Sequence, residues 1–124
     1  MISISEEQFS DMMEEALHTI PAPFKDKIEN LVFMVEPYPS ESDLGRVGLT
    51  DMYSLLGIYS GVPYTNRNTY YMNTTPDRII LFQKNIERYC NTEAELKDKI
   101  SEVLIHEIAH YFGMDEDQVR AAGY

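Results

Sequence analysis

Apolar side chains first recur at helical spacing at Phe9, Met12, Met13, Ala16 and Leu17, which predicts a helix from about Glu6 to His18. Ser5-Glu6-Glu7-Gln8 has the form of a capping box that would start it, and its acidic outer face is one that water solvates. Pro21 and Pro23 break the pattern, after which Phe24 to Asn30 reads as a short helix packed by Phe24 and Ile28. Leu31-Val32-Phe33-Met34-Val35 is a continuous apolar run rich in β-branched residues, the signature of a buried strand. It stops at Pro37-Tyr38-Pro39. After a polar loop, Tyr53 to Tyr59 and Arg78 to Gln83 read as two further strands. Thr92-Glu93-Ala94-Glu95 is a second capping box, opening a long helix whose Leu96, Ile100, Val103 and Leu104 form one apolar stripe. Ile105, Ile108 and Phe112 add a second apolar face, so the later half of that helix is predicted to be buried on most sides. Asp115-Glu116-Asp117-Gln118 opens a short terminal helix. The expected fold is α+β, a small twisted sheet of about three strands packed on the long C-terminal helix and on the N-terminal helix.

Between the last two predicted strands runs a segment without periodicity, from Gly61 to Pro76. A loop of this length in a compact domain is commonly functional or disordered, and its aromatics argue against simple disorder. Tyr64, Tyr70 and Tyr71 stand there as candidates to donate to a developing oxyanion. The plainer reading makes them tyrosines that anchor the loop to the sheet.

The chain has 124 residues, long enough for one domain with a real core and too short for two, so residues 1–124 are read as a single domain. No repeat, linker or low-complexity tract divides it. Its 21 acidic against 10 basic residues give a net charge of -11, which opposes contact with a phosphate backbone and makes nucleic acid an improbable partner. Cys90 is the single cysteine and reads as a buried thiol at a helix boundary, not a nucleophile. Met1-Ile2-Ser3-Ile4-Ser5-Glu6-Glu7 has neither the basic region nor the apolar run of a signal peptide, and no stretch is long enough to span a bilayer. The expectation is a cytoplasmic protein with no membrane partner.

The densest chemistry lies near the C-terminus, in His106-Glu107-Ile108-Ala109-His110-Tyr111-Phe112-Gly113-Met114-Asp115-Glu116. Two residues four apart on a helix differ by about 40° around its axis, so His106 and His110 can aim at one ion. Glu107 sits on the flank of the same face, where its carboxylate can reach a metal-activated water without ligating the metal. Catalytic zinc usually takes three protein ligands and keeps an open position. Glu116 is the candidate third ligand, since Gly113 can take the positive φ that ends a helix and turns the chain back under the metal. An acidic residue there can also simply favour the N-terminal dipole of the next helix, and both readings of Glu116 stand at this point. His18, the only other histidine, is expected on a helix distant from the motif, as a partly buried surface residue.

The pattern H-E-x-x-H-x-x-G-x-x-[D/E] is similar to the extended motif of metzincin-like peptidases, with Glu116 where a histidine usually stands. The stretch from Val103-Leu104-Ile105-His106 through Met114-Asp115-Glu116-Asp117, with the terminal Gly123-Tyr124, resembles the compact bacterial zincin-like metallopeptidase family, whose members carry an acid at that place. Asp77-Arg78-Ile79-Ile80-Leu81-Phe82 and Leu56-Gly57-Ile58-Tyr59-Ser60-Gly61-Val62-Pro63 look like that family's two strand segments. Resemblance covers most of the chain after about residue 30. It implies a minimal zincin-like domain and a zinc metallopeptidase acting on a peptide or protein substrate, with Zn2+ held by His106, His110 and Glu116 and with Glu107 as general base. No chain follows Tyr124 for the Met-containing turn of larger metzincins, so support for the metal must come from upstream. Two rivals come from other classes. A compact bacterial ribonuclease family of ribosome maturation spaces its metal ligands similarly but lacks the Glu after the first His, and RNA would call for a basic surface. A non-catalytic zinc-binding interaction domain, a degenerate zincin, shares the motif without turnover. Oligomeric state is not legible.

Overall fold

A computed structural model describes residues 1–61 and 77–123. Its elements are α1 (Glu6–Leu17), α2 (Ala22–Lys25), β1 (Leu31–Glu36), α3 (Glu41–Arg46), β2 (Gly57–Ser60), β3 (Asp77–Phe82), α4 (Gln83–Glu87), α5 (Glu93–Tyr111) and α6 (Glu116–Ala121). The described strands form one sheet in the order β1-β3-β2, with β1 parallel to β3 and β2 antiparallel to it. The α+β class and the three strands agree with expectation.

Residues alternate between the two faces of the sheet. Phe33 and Val35 of β1, Tyr59 of β2, and Ile79 and Leu81 of β3 face a core completed by Phe9 and Met13 of α1 and by Leu96, Ile100, Leu104 and Ile108 of α5. Met34, Ile58, Ile80 and Phe82 belong to the opposite face. Helix α1 starts as predicted, the Ser5 hydroxyl accepting from the Gln8 N–H while the Gln8 side chain accepts from the Ser5 N–H. Thr92 caps α5 through the Glu95 N–H at 3.1 Å, but only half of that box closes, because the Glu95 carboxylate accepts from the Asn91 N–H at 3.4 Å instead.

Four expectations need correction. The predicted helix from Phe24 to Asn30 is one short turn, Ala22–Lys25. Beyond it Tyr111 pins the chain, its hydroxyl accepting from the Glu29 N–H at 3.0 Å and donating to the Glu29 carbonyl at 3.2 Å. Phe24, expected to pack that helix, is mostly exposed and touches Phe112 edge-on, with ring centroids 6.2 Å apart. The strand predicted from Tyr53 begins only at Gly57, since the buried Asn85 amide donates to the carbonyls of Met52 at 2.6 Å and Leu55 at 2.8 Å and holds 52–55 as a loop. Gln83, expected to end β3, instead begins α4.

One contact sets the position of α5 over the sheet. A Cβ placed on Gly57 would lie 2.9 Å from Val103 Cγ1, 3.2 Å from Leu81 Cδ2 and 3.3 Å from the Ile80 carbonyl. The missing side chain is what lets α5 approach β2 this closely. Gly57→Ala is therefore expected to cost about 1–3 kcal/mol, the usual range for overpacking a tight core. Urea unfolding measures it, and a loss within about 0.5 kcal/mol, the scale of an ordinary surface change, would show that the approach is not tight.

Candidate metal centre

Helix α5 carries His106 and His110 on successive turns of the face that its core stripe leaves free. Both rings are partly exposed, stand 5.0 Å apart between centroids and lie at 70° to each other. Phe112 ends the helix and Gly113 follows at φ 88°. The Gly113 N–H donates to the His110 carbonyl at 2.9 Å and the Met114 N–H to the Ala109 carbonyl at 3.1 Å, the paired bonds of a Schellman turn. That turn reverses the chain toward the histidines. Asp115 then caps α6, its side chain accepting from the Gln118 N–H while the Gln118 side chain accepts from the Asp115 N–H, both at 2.8 Å.

Glu116, the first residue of α6, is thereby delivered to both rings. Its Oε1 lies 3.0 Å from His106 Nε2 and 2.7 Å from His110 Nε2. Among the described residues His106, His110 and Glu116 are the group able to hold a metal, with ligand atoms all within 4.8 Å of one another. The dipole role also considered for Glu116 is not exclusive: it sits in the first turn of α6 and reaches the rings as well. Asp115, not Glu116, is the cap.

The donor set fits a metal on a point of hydrogen-bond chemistry. His110 Nδ1 lies 2.8 Å from the Met114 carbonyl, and a carbonyl only accepts, so the Nδ1–H donates to it and the lone pair is left on Nε2. A lone pair and a carboxylate oxygen at 2.7 Å attract only if a cation lies between them, either a proton or a metal ion. Partial burial pushes the Glu116 pKa up, but hydrogen bonds with His106 and His110 and their charges outweigh it and leave it below the ordinary value.

Glu107 follows His106 on α5, lines the same cleft as both histidines and is 8% exposed. Burial raises its pKa above the ordinary carboxylate value, against the lowering effect of His110 and His106 and of a hydrogen bond from the Tyr59 backbone N–H; Glu116 adds to the rise. Register explains that hydrogen bond. The Leu56 carbonyl accepts from the Phe82 N–H at 2.9 Å, so by antiparallel alternation Leu56, Ile58 and Ser60 bond to β3 while the backbone groups of Gly57 and Tyr59 point away from it. The outer edge of β2 thus faces the centre. A cleft of about 850 Å³ opens over it, lined by His106, Glu107, His110 and Glu116, by Val47 and Leu49 ahead of β2, and by Arg120 of α6.

His18 lies outside the group, as expected, but it is exposed where partial burial was expected. Its helix is not distant, because α1 packs along α5. Cys90 is buried, donates to the Ile86 carbonyl at 3.5 Å, and has its pKa raised chiefly by burial. Tyr64, Tyr70 and Tyr71 lie outside the described residues. Sequence reasoning missed the Tyr59 N–H, the Met114 carbonyl and Arg120. The last was within reach, since Arg120 stands four residues after Glu116 and so on the same face of the helix.

A sheet whose edge strand faces a helix bearing H-E-x-x-H, with an acid returned by a glycine turn, is the arrangement of a zincin. The chain belongs to the zincin-like metallopeptidase family, whose profile matches residues 28–124. The match includes every residue of the centre and leaves α1 outside. A search of curated proteins finds no match. Membership implies a metal ion, typically zinc.

With this ligand set, His106→Ala and His110→Ala should each abolish tight zinc binding, and Glu116→Ala should weaken it. The neighbouring acids separate ligand from cap: Asp117→Ala and Asp115→Asn keep zinc, whereas Asp115→Ala removes the cap and costs about 0.5–2 kcal/mol of stability. Metal analysis after dialysis, with thermal unfolding alongside, checks the set. Release of zinc by Asp117→Ala but not by Glu116→Ala would put the ligand register elsewhere.

Proposed function

We propose that the protein is a zinc-dependent peptidase that hydrolyses peptide bonds, with Zn2+ held by His106, His110 and Glu116 and with Glu107 as general base. The observation that carries this reading is the convergence of three donor atoms from two helices beside a buried carboxylate, under the strand that ends the sheet among the described residues. When bound, zinc supplies a Lewis acid that acidifies a water and polarises the scissile carbonyl. Glu107, desolvated and with its pKa raised, would be the group that takes a proton from the attacking water and returns it to the leaving amine. His110 keeps its ligand tautomer through the Met114 carbonyl, a second contact of the kind that fixes ring orientation at zinc sites.

A peptide or protein substrate enters extended and adds along the outer edge of β2, where Gly57 offers backbone groups turned away from β3. Val47 and Leu49, both substantially exposed, form an apolar stretch of the cleft wall suited to a substrate side chain. A net charge of -11 weighs against a ribonuclease. The non-catalytic alternative differs from this reading in turnover alone. No helix of the described residues is long and apolar enough to cross a membrane, and we place the protein's work in the cytoplasm as a single domain.

Glu107→Gln tests the mechanism, because the amide keeps the shape and cannot take a proton. Zinc content and unfolding midpoint should stay at the parent values while hydrolysis of an unfolded protein mixture falls a hundredfold or more, about the share general-base catalysis supplies. Zinc-loaded parent that leaves every such mixture intact would favour the interaction domain. Undiminished hydrolysis by Glu107→Gln would remove Glu107 from the reaction.

A further inference from the structure

We infer that Arg120 recognises a carboxylate of the substrate close to the scissile bond, which makes it a specificity-determining residue of the cleft. The inference rests on the peptidase reading above for its substrate class, and on the charges that line the cleft for its chemistry.

Among the described residues Arg120 is the single lysine or arginine on the cleft wall. The acids there already have partners. Glu116 is taken up by the two imidazoles, Glu107 by the Tyr59 N–H, Asp115 by the Gln118 N–H that it caps and Glu102 by Lys99 at 3.4 Å. Glu116 and Arg120 stand at i and i+4 in α6, acid before base, the order that ordinarily closes an ion pair on a helix. Here no such pair forms, because the carboxylate is turned to His106 and His110, and Arg120 has no ion pair among the described residues. The engaged cations, Lys84 with Glu87 at 3.2 Å and Arg88 over the Tyr53 ring at 4.4 Å, are not on the cleft wall. A basic residue in a last helical turn does favour the helix dipole, but it does so whichever way it points and has no need of a cleft.

The spacing suits a neighbouring carboxylate. Four residues along α6 advance about 6 Å, so Arg120 stands one helical turn from the metal-ligating Glu116 on the same cleft wall. A group bound by Arg120 would therefore sit near the bond at the metal. The guanidinium fork matches a carboxylate with two parallel hydrogen bonds. In a chain of net charge -11, whose field repels anionic substrates in general, one unmatched cation in the cleft confers a local preference. The carboxylate can be an Asp or Glu side chain or the C-terminal carboxylate of a short peptide.

Binding to the zinc-loaded Glu107→Gln protein tests the inference without relying on turnover. Labelled short peptides would carry Glu or Gln at an internal position, each with a free or an amidated C-terminus, and dissociation constants would be read by fluorescence anisotropy. Neutralising the recognised carboxylate should weaken binding about three- to tenfold, the scale of a solvent-accessible charge-assisted pair. Adding Arg120→Gln should cause the same loss for the acidic peptide and none for its neutral counterpart. Whichever peptide change abolishes the effect of Arg120→Gln identifies the source of the carboxylate. Equal weakening of both peptides, no weakening of either, or no binding by any carboxylate peptide overturns the inference. Hydrolysis by the parent is measured separately: coupling without hydrolysis retires the peptidase reading alone, and hydrolysis without coupling retires the role of Arg120 alone.

Discussion

The close packing of α5 against β2 at Gly57 is the constraint on which the centre depends. It buries Leu96, Ile100, Leu104 and Ile108 of α5 in the main core and, through the same helix, fixes where His106, Glu107 and His110 stand. A helix held this way leaves one face for the cleft. The Tyr59 backbone N–H acts on the Glu107 carboxylate and opposes the rise of its pKa, so the β2 edge and the buried acid beside the histidines are neighbours. The geometry of the candidate centre and the core packing are thus consequences of one contact, and a shift of α5 would disturb both together.

A second layer of order comes from the chain reversal after α5. Gly113 at φ 88° permits the Schellman turn, the turn presents the Met114 carbonyl to His110, and Asp115 starts α6 with Glu116 in its first turn. Each step is a local backbone preference. Together they assemble three donors from a stretch of eleven residues, His106 to Glu116. Tyr111 anchors the same end of α5 from the other side through its two hydrogen bonds to Glu29. Support for this end of α5 therefore includes a contact from upstream of the motif.

The centre was largely legible in the sequence because it is local: helical periodicity places His106 and His110 together, and glycine chemistry explains the return to Glu116. Strand content was legible where apolar runs are long, as in Leu31 to Val35 and Ile79 to Phe82. What failed depended on contacts between distant residues. Nothing local in Tyr53 to Leu56 reveals that Asn85 will take two of its carbonyls and keep it out of the sheet, and nothing in Glu29 announces Tyr111. Helix α3 did carry a signal, since Ser40 and Asp43 cap it reciprocally, but its six residues are too few for a periodic stripe. Helix α4 was hidden because the apolar run of β3 leads straight into it, and its buried Gln83, Asn85 and Glu87 read as surface residues. The edge at β2 required the register of the sheet, which pattern alone does not supply.

The central claim is that one ion is held by two imidazoles and one carboxylate contributed by α5 and α6. X-ray absorption at the zinc edge of the loaded protein measures this directly. The account predicts a shell of nitrogen and oxygen at about 2.0–2.1 Å, with the multiple scattering of two imidazoles and no sulfur, and loss of this zinc signature in each single histidine variant. A sulfur shell at about 2.3 Å, which would implicate Cys90, or a spectrum unchanged by removal of either histidine, would contradict it.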